Sequence, residues 1–228
     1  NVALEASSHA LAQNRLMGVA LNTAVFTNLG HDHLDYHGSI KAYGDSKRLL
    51  FGYPSVTTAI INTDDHLGAS IARTLGTDID LWSCGMDRER VELQARVRVA
   101  NIESSMDRLA FTLITEGEQG RVESHIRGRF NAENLLLAGA LLLSLGFAME
   151  QVCTSLSGVR SIPGRMQYCG VSSGGVRVFL DYAHSPDSMM AVLSSLREFQ
   201  PRSLIVVFGC GGDRDRDKRP IMGDIAET

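Results

Sequence analysis

Nothing in the 228 residues approaches the roughly 20 consecutive apolar positions that a membrane-spanning helix needs. The four cysteines, Cys84, Cys153, Cys169 and Cys210, lie far apart and form no C-x-x-C pair, which argues against a disulfide frame or a zinc site. Reduced thiols of a cytoplasmic protein are expected. Basic charge is not in excess. The formal net charge is −4, so the chain has no electrostatic footprint for nucleic acid. Internal repeats and low-complexity tracts are absent, and no secretory signal peptide is expected, since Asn1 opens directly into ordered-looking sequence. No G-x-x-x-x-G-K-[ST] phosphate loop occurs. The first residue is Asn1 rather than methionine, it opens inside a motif, and Thr228 closes in what reads as an unfinished helix. The sequence is therefore expected to be a fragment cut at both ends, inactive by itself.

What is present is ordinary globular composition, 44% hydrophobic and 21% charged, enough for one large or two smaller domains. Val2-Ala3-Leu4 reads as the tail of a buried strand. Ser7 or Ser8 then caps a helix expected from about His9 to Leu21. An apolar β-type run over 23–27 is followed by a histidine-rich loop and a helix from Ser39 to Phe51. A β-branched strand spans Val56 to Ile61, and a helix spans His66 to Leu75. Strands alternating with helices indicate a parallel sheet. From Ile79 to Gly128 the period changes to two, over 93–99, 109–115 and 122–126, which predicts a small antiparallel sheet with a hairpin. Helices follow over Asn131–Leu145 and Met149–Leu156. Pro163-Gly164 reads as a domain boundary. Beyond it come two short strands around a Ser-Ser-Gly-Gly turn, a helix from Asp187 to Phe199, a buried parallel strand from Leu204 to Phe208, and a helix opened by Pro220. The expected fold class is α/β.

The stretch around which the chain is organised is TNLGHDHLDYHGSIKAYGDSKRLLF, from Thr27 to Phe51. Its loop holds three histidines (His31, His33, His37) and two aspartates (Asp32, Asp35) within seven positions. Imidazole and carboxylate ligate divalent ions, and α/β folds place ligands at the carboxyl ends of strands. A solvated surface loop accounts for the same composition. Glu5, where a strand gives way to a helix, is either an oxygen ligand for magnesium or a solvated carboxylate at a helix start. Ser7 is a natural helix cap. Asp181 follows a strand, where a carboxylate can meet ribose hydroxyls or cap the next turn. Gly209 to Arg219 lacks G-x-G-x-x-G spacing and is no dinucleotide fingerprint.

The Thr27–Phe51 stretch resembles the central-domain signature of the Mur ligases, and within them the UDP-N-acetylmuramoyl-tripeptide synthetases. Five further stretches resemble the same family in the same order: EASSHALAQNR, GRFNAENLLLA, PGRMQ, DYAHSPDSM and FGCGGDRDRDKRPIMG. They reach from Glu5 to Gly223. The resemblance implies part of a central ATP-binding domain over 1–163, its phosphate loop lying upstream, and the start of a Rossmann-like C-terminal domain over 164–228. It implies magnesium ions held by Glu5, by His33 and by Lys47 as a carbamate. Burial must leave that lysine amine neutral enough to react with carbon dioxide. His31 stands where many relatives carry arginine. Ser7, Gln13 and Arg15 correspond to residues holding the UDP-muramoyl peptide. Asn134 corresponds to an adenine contact, Arg165 to an arginine reaching ATP, Asp181 to the ribose contact and Lys218 to a phosphate contact. Arg214 corresponds to the arginine that binds the incoming amino acid's carboxylate, for which its bidentate fork is suited.

The implied reaction is ATP-dependent amide-bond formation on UDP-MurNAc-L-Ala-D-Glu through an acyl phosphate, with ATP and Mg2+ required. Meso-diaminopimelate is the expected incoming residue, because the wording of the chain resembles the ligases of Gram-negative bacteria; L-lysine is the alternative, since the family's discriminating D-N-P-[RA] segment is expected beyond Thr228. A monomeric, cytoplasmic enzyme is expected. Three rivals stand beside it: a folylpolyglutamate synthetase-like ligase, a non-catalytic Mur-ligase-like protein, and a metal hydrolase built on the histidine loop.

Overall fold

The computed structural model describes residues 2–30, 32–86, 95–160, 162–211 and 216–227. The chain divides into two compact units, residues 1–97 and 98–228.

In the first unit, strands β1 (Thr23–Phe26), β2 (Thr58–Asn62) and β3 (Asp80–Gly85) form a parallel ladder, with Phe26 opposite Ile61 and Asn62 opposite Cys84. Ala59, Ile60 and Ile61 are completely buried, as a strand covered on both faces must be. β3 departs from the expectation that the antiparallel region begins near Ile79: it extends the parallel ladder. Helices α1 (Ser8–Ala12) and α2 (Leu34–His37) pack on α3 (Ile40–Arg48), helix α4 (His66–Thr74) packs on β2, and a 3-10 turn spans Leu49–Gly52. Phe26, Phe51, Val56, Ile61 and Ile71 share one core.

Helix α1 is far shorter than the His9–Leu21 expected. Asn14 adopts the left-handed conformation (φ 52°), and Gly18 does so again (φ 83°). Asparagine tolerates that region, so it ends helices as glycine does. The apolar spacing of Leu11 and Leu16 concealed the stop; Leu11 is buried from within α1 and Leu16 from the turns that follow it.

Helix α4 begins where Asp65 accepts hydrogen bonds from the backbone N–H groups of Leu67 (2.8 Å) and Gly68 (3.1 Å). Its other oxygen accepts from Leu29 N–H at 2.9 Å, tying the loop after β1 to the helix. A cap alone contributes about 1 kcal/mol. With the Leu29 bond added, Asp65→Ala is expected to cost about 2 kcal/mol, and Asp65→Asn distinctly less. Urea unfolding of the three proteins checks this; equal midpoints for wild type and Asp65→Ala would remove the tether from the account.

In the second unit β4 (Val97–Ser104, whose first residue closes the first unit), β5 (Leu109–Ile114) and β6 (Gln119–Ser124) are antiparallel, with a bulge between Ala100 and Glu103. The expected start of this sheet at residues 93 and 94 lies outside the described residues. Two helices, α5 (Phe130–Ser144) and α6 (Met149–Ser157), lie beside the sheet, α5 against β5 and α6 against β6. Helix α5 is apolar nearly all round because it is covered on several sides. Gly139 and Gly120 permit close approach: a Cβ at Gly120 would strike the Cys153 sulfur.

Residues 164–227 add a β7 (Gln167–Val171)–β8 (Arg177–Leu180) antiparallel hairpin and helices α7 (Pro186–Arg197) and α8 (Lys218–Glu227). Met189, Leu193, Met222 and Ile225 form their core. The strand expected over Leu204–Phe208 is not formed. A parallel strand exists through its ladder, and residues 204–208 join none among the described residues. Leu204 and Val206 pack on the α7–α8 core, while Ile205 and Val207 are 75% and 95% exposed. No helix among the described residues is long and apolar enough to cross a membrane.

Candidate functional site

In the first unit the histidine-loop residues converge on α1 and α3. His33 opens α2 in the left-handed conformation (φ 58°), and its N–H donates to Asp32 Oδ1 at 2.8 Å. Its ring meets those of His9 (centroids 4.9 Å) and Tyr43 (5.7 Å) edge-on. His37 stacks on Tyr43 at 5.3 Å, and its Nε2 shares a hydrogen bond with Ser8 Oγ at 3.0 Å. Burial pushes the His37 imidazole below its ordinary pKa, and the neighbouring His9 and His33 add to this.

Lys47, near the end of α3, directs Nζ toward Asn28 O at 3.1 Å and over the rings of Tyr43 (5.0 Å) and Phe26 (6.0 Å). Burial holds its pKa below the usual lysine value, with the carboxylates of Asp65 and Glu5 pulling the other way. Desolvation outweighs them because an ammonium over aromatic faces has few replacements for its lost water. Glu5 is exposed and lies within electrostatic reach of this lysine.

The loop over Lys47 is pinned three times in succession. Asn62 Nδ2 donates to Thr27 O at 2.8 Å, Lys47 donates to Asn28 O, and Leu29 N–H donates to Asp65. Asn62, Asp65 and Tyr43 escaped notice in the sequence. The available signal was the aspartate at 65, directly before the helix expected from His66.

Ser7 caps α1, its Oγ accepting from Ala10 N–H at 3.2 Å. Gln13 donates to the Tyr36 hydroxyl at 3.0 Å and accepts from the Arg15 guanidinium at 2.5 Å. Ser7, Gln13 and Arg15 are all exposed beside the histidine loop.

Among the described residues no group of three or more His, Cys, Asp or Glu is disposed to hold a metal ion. Lysine as an amine is no ligand. With a carbamate on Lys47 the donor set would become two carboxylate-type groups beside an imidazole, and the two oxygen groups are the part of that set that fits magnesium. His31 lies outside the described residues. Burial, with a smaller effect of the Asp64 carboxylate, pushes the Cys84 thiol up to about 12, so it is inert.

In the second unit Asp181 accepts from Met166 N–H at 2.7 Å and from Ala183 N–H at 2.8 Å. It therefore closes the turn after β8. Arg165 lies over the Tyr182 ring at 5.3 Å, and Tyr182 N–H donates to Gly164 O at 2.7 Å, so Arg165 and Asp181 are gathered at one end of the hairpin. Asn134 is exposed on α5 and donates to Asn131 at 3.0 Å; no hydrogen bond joins it to Arg165 or Asp181. Lys218 starts α8. Arg214 lies outside the described residues.

Residues 1–142 match the family described as the Mur ligase middle domain, and residues 164–228 match the Mur ligase glutamate ligase domain. The chain is 42% identical over 229 aligned positions to a UDP-N-acetylmuramoyl-L-alanyl-D-glutamate–2,6-diaminopimelate ligase of Neisseria meningitidis serogroup A, covering 98% of this chain and 45% of the relative. A ligase of the same name from Xylella fastidiosa is 41% identical, over 100% of this chain and 45% of its own length. The chain thus spans about half the length of the curated relatives it matches. A solved structure of a ligase with that name superposes with a TM-score of 0.71 at 35% identity, over 97% of this chain and 45% of the other. A Mycobacterium tuberculosis folylpolyglutamate synthase superposes at 0.62 with 20% identity, over 80% of this chain and 40% of the other, a likeness of fold alone. On these matches the chain belongs to the Mur ligase family.

Proposed function

We propose that the protein to which this chain corresponds joins meso-diaminopimelate to the D-glutamyl carboxylate of UDP-MurNAc-L-Ala-D-Glu at the expense of ATP. The observation that carries this reading is the 42% identity, sustained over 98% of the chain, to a ligase named for that reaction. In the proposed mechanism, ATP phosphorylates the glutamyl carboxylate. The incoming amino group attacks the acyl phosphate and expels phosphate through a tetrahedral intermediate. Bound magnesium supplies charge neutralisation for the transferring phosphoryl group.

The residues of this chain hold and orient. Glu5, His33 and carbamylated Lys47 hold the metal ions. Ser7, Gln13 and Arg15 hold the UDP-muramoyl dipeptide. Asn134, Arg165, Asp181 and Lys218 hold ATP, and Arg214 receives the amino acid's carboxylate. Asp181 can keep both of its backbone bonds while accepting from a ribose hydroxyl, since a carboxylate has about four acceptor sites. We place the domain boundary at residues 163 and 164, supported by the two family matches on either side of it, and the site of action in the cytoplasm, as a monomer.

The full-length protein, given ATP, Mg2+ and UDP-MurNAc-L-Ala-D-Glu, is expected to release phosphate when meso-diaminopimelate is added and far less with L-lysine. Phosphate release with lysine alone would replace the proposed substrate. No release with either would sink the ligase reading.

A further inference from the structure

We infer that His9 is a positioning residue for His33, fixing the ring that the proposed function assigns to the metal and joining the UDP-muramoyl-peptide side of the site to its metal side. The inference rests on that assignment of His33. It starts from what α2 lacks. The helix is one turn long, none of its residues is buried, and its N-cap side chain makes no capping bond. Both its ends are left-handed, at His33 (φ 58°) and Gly38 (φ 71°). A non-glycine residue in that region is strained and persists only where its surroundings over-determine it. A single turn is also too short to sustain itself. The turn must therefore be held from outside.

His9 touches every ring of that turn. Its centroid lies 4.9 Å from His33 at 87°, 4.2 Å from Tyr36 and 5.5 Å from His37. Tyr43 meets His33 from α3, also at 87°, so two rings bear on the His33 imidazole. Edge-on contacts of this kind fix a ring's plane and therefore the direction of its nitrogen lone pair. Two flanking bonds, Ser8 to His37 and Gln13 to Tyr36, attach α1 to the same turn. Helix α1 thereby carries Ser7 and Gln13 on the side read as binding the UDP-muramoyl peptide.

The test uses the full-length protein with bicarbonate, a non-hydrolysable ATP analogue, and manganese as the spin probe. Dissociation constants come from electron paramagnetic resonance. His9→Ala is expected to weaken manganese binding about tenfold, the size of effect seen when an outer partner of a metal ligand is lost. His9→Phe, which keeps a ring in place, is expected to recover most of that loss. A merely structural His9 would lower the melting temperature of the alanine variant while leaving manganese affinity unchanged, and that result overturns the inference. His33→Ala separates the two levels. If it keeps full manganese affinity, the metal reading itself fails and the role of His9 falls with it. If His33→Ala loses affinity and His9→Ala does not, only the inference fails. Should His9→Ala not fold, the wild-type protein decides by ring resonances: adding Mg2+ with the ATP analogue must shift His9 together with His33, and an unmoved His9 is the overturning result.

Discussion

Lys47→Ala is expected to abolish ATP-dependent phosphate release by the full-length protein, by about a thousandfold, the upper range for losing one charge-stabilising group. A short carboxylic acid or bicarbonate should restore part of the activity by taking the place of the missing carbamate. The reasoning starts from the lysine's surroundings. Its Nζ lies over Tyr43 and Phe26 and donates to Asn28 O, and burial lowers its pKa against the pull of Asp65 and Glu5. Only the neutral amine reacts with carbon dioxide. Below the pKa the neutral fraction rises tenfold per pH unit, so a lowered pKa raises it at every pH in that range.

The sign for stability follows the same shift. A lysine whose folded pKa lies below its unfolded value penalises the folded state at low pH. That penalty fades as pH rises through the folded pKa toward the unfolded value of about 10.4. Carbamate formation is likewise expected to grow with pH, readable as a carbamate carbon signal from labelled bicarbonate that Lys47→Ala lacks. Normal turnover in Lys47→Ala would remove the carbamate from the mechanism.

Gly68→Ala is expected to destabilise the protein by about 3 kcal/mol, at the top of the range for overpacking a filled site. Gly68 lies in the first turn of α4. A Cβ there would collide with the carbonyl oxygen of Asn62 and come within 3.0 Å of the Phe26 ring. Backbone cannot step aside as a flexible side chain can. Displacing Asn62 also disturbs its bonds to Thr27 O and Asp64 N–H, so the loop over Lys47 moves with it. Gly52→Ala is the control, because nothing lies within 4 Å of a Cβ there. Thermal unfolding should put Gly68→Ala roughly 10 °C below wild type and Gly52→Ala close to it. Equal melting temperatures for the two variants would show that α4 can retreat from β2 at little cost.

The sequence by itself determined the α/β class, the parallel ladder's first strands, the hairpin-bearing sheet, helices α3 to α7 to within a few residues, and the family. These rest on local signals: period-two and helical spacing, and motif words in a fixed order. Tertiary structure decided the rest. The stop of α1 at Asn14 was written in residues whose left-handed conformation shows only once the chain turns. The 204–208 run has strand composition and no ladder, because pairing needs a neighbour that composition cannot specify. β3 joined the parallel ladder because register is set by long-range pairing with β2.

The site divides in the same way. Lys47, His33 and Glu5, the residues proposed to hold metal, were singled out as motif letters. Asp65 and Asn62 lie outside the motifs, and Tyr43 and His9, although inside them, were not singled out, because the relevance of all four lies in the groups they reach in the fold: Leu29, Thr27, Lys47 and His33. Spacing in sequence records which residues share an element. Only the fold brings a desolvating ring and a tethering carboxylate to the same lysine, and the free energy that shifts its pKa comes from that proximity.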